Sequence, residues 1–82
     1  MAQRISGLDG SDLLRGIGAK VRLRRAALGW SRDQLAVAAG LSSRMIGYVE
    51  SGTTNISLVT LLRLSAALQI SMAALVTSET AR

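Results

Sequence analysis

Residues 31–52, SRDQLAVAAGLSSRMIGYVESG, decide how the rest of the chain must pack. They read as two short helices broken once, at Gly40. Ser31 is a good N-cap, and Gln34 three residues on completes a capping box, in which side chain and backbone exchange hydrogen bonds across the first turn. Leu35, Ala36 and Ala39 recur at helical spacing and give the first helix one apolar face, and the two alanines are small enough for a second helix to cross closely. At Gly40 the chain must turn through a left-handed backbone, which is open to glycine and strained for other residues. Leu41 plugs the corner. Ser42 caps a second helix whose Ile46 and Val49 face inward, leaving Ser43, Arg44, Gly47 and Tyr48 outward.

The whole chain has 82 residues, which is one small domain with no room for a separate catalytic or ligand-binding module. A domain of this size has a modest core and often gains stability from a partner chain. Hydrophobic residues make up 49%, mostly Ala and Leu, with one Trp, one Tyr and neither Phe nor Pro, a composition that suits closely packed short helices. Ten basic residues, nine of them Arg, stand against five acids for a net charge of +5. An arginine-heavy surface suits phosphates and guanine edges, although solubility alone would also explain it. The absence of Cys excludes a disulfide framework, and the absence of His speaks against a transition-metal site, so no metal and no cofactor are expected. Asp9, Asp12, Asp33, Glu50 and Glu79 form no evident catalytic grouping, and the expectation is that the protein is not an enzyme. No basic region leads into an apolar run at the N-terminus, and no apolar stretch is long enough to span a bilayer, so a cytoplasmic protein with no membrane role is expected.

Outward from the central stretch, residues 1–11 contain Gly7 and Gly10 without hydrophobic period and read as a flexible arm, with Arg4 either reaching DNA or lying in a tail. Ser11 or Asp12 should start the first long helix, whose Leu14, Ile17, Val21 and Leu28 make one stripe, with Gly18 and Ala19 permitting close approach. Lys20, Arg22 and Arg24 point elsewhere, toward solvent or phosphate. Gly29 ends that helix, and Trp30 packs back at the edge of the core. After Gly52 comes a polar loop, Thr53-Thr54-Asn55-Ile56. Ser57 then caps a fourth helix with a stripe of Leu58, Leu61, Leu64, Ala67 and Leu68 and with Arg63 on the opposite side. Gln69-Ile70-Ser71 is a link to a last short helix over 72–76, and 77–82 should fray. The folded domain is therefore expected over 12–76, all-α, with five helices and no sheet.

The central stretch has the outline of a helix-turn-helix. LGWSRDQLAVAAGLSS…I…VESG, followed by S-L-x-x-L-x-x-L-x-x-A-L, resembles the phage repressor/Cro-type (XRE-like) DNA-binding family over roughly residues 17–76. Ala36, Gly40, Ile46 and Val49 stand at the motif's small, glycine and branched apolar positions. The resemblance implies a lambda-repressor-like domain that lays the N-terminal end of its second motif helix in the major groove. Base reading would fall to Ser43, Arg44, Gly47 and Tyr48, with Arg44 first because its guanidinium fork matches guanine O6 and N7. Gly47 inside a helix is explained by close approach to DNA or by a tight helix contact. Arg22, Arg32, Ser42, Thr53, Thr54 and Asn55 would contact phosphate, with Arg32 stretched toward DNA rather than packed. The resemblance also places Arg25 where the family pairs an arginine with a glutamate, here Glu50, as a tie between the first and third helices. Arg24 departs from the family's apolar residue, and Leu23 is the candidate to compensate through a rotated helix face. Leu62, Met72, Leu75 and Val76, with Val59, offer surplus apolar surface for a homodimer that would place two reading helices one DNA turn apart on a palindrome. The implied function is a sequence-specific double-stranded DNA-binding transcriptional regulator, a repressor. An antitoxin or restriction-modification controller of the same fold, a protein-interaction module, or the DNA-binding domain of a larger regulator are the alternatives.

Overall fold

A computed structural model describes residues 9–77. Arg4 with the rest of 1–8, and 78–82 with Glu79, lie outside the described residues. Five helices follow in order: α1 (Ser11–Ala27), α2 (Arg32–Ala39), α3 (Ser43–Ser51), α4 (Leu58–Leu68) and α5 (Met72–Val76). There is no strand among the described residues.

Serine starts four of the five helices. Ser31, Ser42, Ser57 and Ser71 each accept the N–H of the residue three positions on, and at Ser31 the Gln34 side chain returns the bond to complete the box. Each such cap is worth about 1 kcal/mol. α1 starts at Ser11, as expected, but without a serine cap. Gly10 occupies the cap position, and the Asp9 carboxylate accepts the Ser11 N–H at 3.0 Å. That bond is also the main reason the Asp9 carboxyl titrates below its ordinary value.

Gly40 takes φ 69°, and the Leu41 N–H folds back onto the Ala36 carbonyl at 2.9 Å, which turns α3 across α2. The side chains brought together there are Leu35, Ala36 and Ala39 from α2 with Ile46 and Val49 from α3, all buried. Ile17 and Val21 of α1, Leu61, Leu64 and Leu68 of α4, and Leu75 of α5 complete one core. Leu28, Trp30, Leu41 and Met45 are half-buried at its edge. Gly18 is buried where α1 meets α3, and a Cβ there would stand 2.3 Å from the Val49 carbonyl oxygen and 2.7 Å from that of Glu50. Only a glycine lets the two backbones come so close.

Four expectations about packing are corrected. Leu58 does not join the α4 stripe but is 75% exposed, because it is the first residue of the helix and lies beyond the reach of α2. Leu23 does not compensate for Arg24 and is 67% exposed. Arg24 instead turns under the fold, where its Nε–H donates to the Leu68 carbonyl at 2.8 Å. That carbonyl is among the unpaired oxygens at the C-terminal end of α4, where a cation is favoured by both hydrogen bonding and the helix dipole. Lys20, one turn earlier on α1, likewise is not directed simply to solvent but donates to the Thr77 carbonyl just past α5. The two bases thus tie α1 to the ends of α4 and α5.

Candidate nucleic-acid interface

The short helix α3 has two sides made by its own spacing. Ile46 and Val49 are fully buried, as is Glu50 at 5% exposure, while Arg44 and Tyr48 stand exposed one turn apart. The Arg44 Nε–H donates to the Tyr48 hydroxyl at 3.3 Å, and the guanidinium carbon lies 6.0 Å from the ring centroid. The ring therefore supports an arginine whose remaining N–H donors are open. The tyrosine hydroxyl keeps its own proton to donate. Gly47 lies between them on this side. A Cβ there would meet nothing within 4 Å, so a tight helix contact is not the reason for the glycine.

Glu50 anchors the ridge from beneath. Its carboxylate accepts from Arg25 Nε at 2.6 Å and Nη2 at 3.0 Å, a two-pronged pair that ties α3 to α1. Arg25 Nη1 donates in addition to the Trp30 carbonyl at 2.9 Å, which fixes the segment between α1 and α2. Arg32 also reaches the carboxylate, Nε to Oε1 at 3.2 Å. This corrects the expectation that Arg32 extends freely away from the protein: a buried carboxylate nearby draws its guanidinium inward, although its side chain remains 56% exposed. Burial by itself would raise the Glu50 carboxyl, but the bonds from Arg25 and then Arg32 outweigh it and hold the group below its ordinary value. The same pairing with Glu50 raises Arg25.

The other anticipated contact residues fall as follows. Ser42 uses its Oγ to accept the Met45 N–H, leaving its proton free to donate outward. Ser43 is half-buried and not free: its hydroxyl donates to Asp33 Oδ1 on α2. Thr53 sits exposed against the end of α3, with its N–H on the Tyr48 carbonyl and its hydroxyl bonded to Ser51. Thr54 is half-buried and Asn55 exposed in the same loop, and Arg22 is exposed on α1. Of the proposed dimer residues, Leu62 and Val76 are exposed at 54% and 38%, together with Val59 at 60%. Met72 is half-buried against the core, and Leu75 is fully buried. Leu75 is therefore withdrawn as an interface residue, because α1 and α4 already cover it and it completes the protomer's own core.

Sequence reasoning missed Asp33 and Arg63. Asp33 has no assigned role in the sequence, and only the turn at Gly40 brings it to Ser43. Arg63 Nη1 donates to the Gly40 carbonyl at 3.1 Å, so α4 holds the turn between the two motif helices. Its position opposite the α4 stripe is visible in the sequence, but its partner 23 residues away is not.

A family model for helix-turn-helix domains (HTH_3) matches residues 21–75, well over half of the chain. Three solved structures are similar. The restriction-modification controller protein C.AhdI from Aeromonas hydrophila is 41% identical over 78% of this chain and 96% of that chain, with a TM-score of 0.72. The hypothetical transcription factor NHTF from Neisseria is 32% identical, over 79% and 73%, with a TM-score of 0.76. The clp gene regulator ClgR from C. glutamicum is 30% identical, over 77% and 82%, with a TM-score of 0.71. No curated protein matches the chain. With a two-helix motif turned at Gly40, an exposed α3 ridge seated on a common core, and this family model spanning the motif, the chain belongs to the HTH_3 helix-turn-helix family of DNA-binding transcriptional regulators.

Proposed function

We propose that the protein is a non-catalytic repressor that binds a palindromic operator in double-stranded DNA as a homodimer. The observation that carries this reading is the α3 ridge, on which Arg44 and Tyr48 project together while Ile46, Val49 and the Glu50–Arg25 pair immobilise the helix beneath them. A rigid ridge with an unsaturated guanidinium suits the major groove, where Arg44 reads guanine O6 and N7. Tyr48 reaches a thymine methyl or a phosphate, and the bare backbone at Gly47 lets base edges come close. Arg22, Arg32, Ser42, Thr53, Thr54 and Asn55 supply phosphate contacts, which orient the domain without reading sequence. Val59, Leu62 and Val76, joined by Leu58, leave an apolar face on the last two helices that a second copy would cover, with Met72 at its edge. Two reading helices then lie one turn of DNA apart, about 34 Å.

A restriction-modification controller is the second reading, favoured by the 41% identity to C.AhdI over nearly the whole of that chain. Selection of binding sites from a random duplex pool tests both readings. The expected product is an inverted repeat with half-sites one helical turn apart. Its recovery immediately upstream of the protein's own gene, beside methyltransferase and endonuclease genes, would favour the controller. Failure to enrich any sequence would contradict both.

A further inference from the structure

The reading end of α3 carries a hydroxyl whose proton is already committed. Ser43 is the first residue of α3, and Asp33, which takes its proton, is the second residue of α2. A serine hydroxyl has one donor and two acceptor lone pairs. With the donor held by a carboxylate, only the lone pairs face outward, and the Asp33 charge beside them repels other acceptors. Phosphate oxygens, guanine O6 and N7, and thymine O4 are all acceptors and find no donor in the Ser43 hydroxyl. The amino groups, cytosine N4 and adenine N6, are the donors in the major groove.

We propose that Asp33, by holding the Ser43 proton, makes the Ser43 hydroxyl acceptor-only, so that Ser43 specifies cytosine or adenine at one position of each half-site. Asp33 acts as a positioning residue through Ser43. The arrangement complements its neighbour in the chain: Arg44 offers only donors, Ser43 only acceptors. The inference rests on the proposed groove binding by α3 and adds to it which bases the Ser43 position admits and the residue that imposes the choice.

The test is site selection from a random duplex pool with the full chain, its Ser43→Ala variant and its Asp33→Ala variant, with folding of each followed by circular dichroism. The unaltered protein should enrich C or A at one position per half-site, by roughly fivefold as expected for a single hydrogen bond. Ser43→Ala should flatten that position alone. Asp33→Ala frees the hydroxyl to donate and should admit G or T there, leaving the guanine enriched through Arg44 unchanged. Unchanged affinity of the unaltered protein for a selected duplex whose cytosine or adenine at that position lacks its amino group would overturn the inference. So would a Ser43→Ala variant with unaltered preferences, or an Asp33→Ala variant with the original preference intact. A site enriched by the unaltered protein but insensitive to both variants leaves the groove-binding reading standing and removes only this one; no enriched site at all removes both. Ser43→Ala leaves the Ser42 cap and the buried face of α3 in place, so it keeps the test decisive even if Asp33→Ala weakens the start of α2.

Discussion

Replacing Glu50 by alanine would remove the buried acid that ties α3 to α1. The carboxylate is buried at 5% exposure and accepts three N–H bonds, two from Arg25 and one from Arg32. Removing one partner of a buried ion pair costs about 3–5 kcal/mol when the remaining charge stays stranded. Here the stranded guanidinia recover some hydration, since the Arg25 side chain is 16% exposed and that of Arg32 56%. A loss of about 2–4 kcal/mol is therefore expected, of which the solvent-facing Arg32 bond contributes less than about 1 kcal/mol. At about 4–8 °C per kcal/mol for a domain of this size, Tm should fall by about 8–32 °C. Thermal melts of the unaltered protein, Glu50→Ala, Arg25→Ala and the double variant at neutral pH would measure it, and the cycle should return a coupling well above that of Arg32→Ala with Glu50→Ala. A fall in stability below about 1 kcal/mol for Glu50→Ala would refute the reasoning, because it would mean that the pair behaves as exposed charges do. The pH dependence gives a second check. The folded carboxyl titrates below its unfolded counterpart, so the unfolded chain binds the proton first as acid is added. The contribution is complete above the unfolded value of about 4.3 and is lost as pH falls through the folded one. Glu50→Gln should remove that part of the acid sensitivity.

Gly18→Ala would place a methyl group 2.3 Å from the Val49 carbonyl oxygen, and neither backbone has room to retreat, so chemical denaturation should show a loss of about 1–3 kcal/mol. Gly47→Ala should do the reverse, adding up to about 1 kcal/mol of stability by helix propensity while weakening duplex binding; higher Tm with unchanged affinity would remove close DNA approach as the reason for the glycine. Leu62→Glu, at a 54% exposed position, should leave the monomer folded but shift sedimentation toward single chains, and an unaltered dimer would place the interface elsewhere.

The sequence makes the helices legible because their boundaries are written in local chemistry: a serine three residues ahead of its N–H partner, and a glycine where the backbone must turn left-handed. The same holds for Ile46 and Val49 against Arg44 and Tyr48, since 3.6-residue periodicity separates the two sides of α3 without knowledge of the fold. The Arg25–Glu50 pair is legible through the family resemblance. What escaped depends on contacts far apart in the chain. Arg24 looks like a surface charge until α4 ends against it, and its Leu68 partner lies 44 residues away. Leu75 carries the same apolar character as Val76, and only the packing of α5 onto α1 decides which of the two is covered. Leu58 has the right phase for the core stripe but lies too near the helix start to reach it. Asp33 and Ser43 meet across the motif's turn, a geometry that charge and spacing do not encode.

The central claim is that α3 presents Arg44 to the major groove of duplex DNA. The most direct measurement is the affinity of the unaltered protein and Arg44→Ala for the selected duplex, titrated across salt concentration. Loss of a bidentate guanine contact should weaken specific binding by about 1–3 kcal/mol, roughly 5–150-fold, while binding to random duplex changes far less and both remain steeply salt-dependent. Equal affinity of the two proteins for the selected site at low salt would contradict the account.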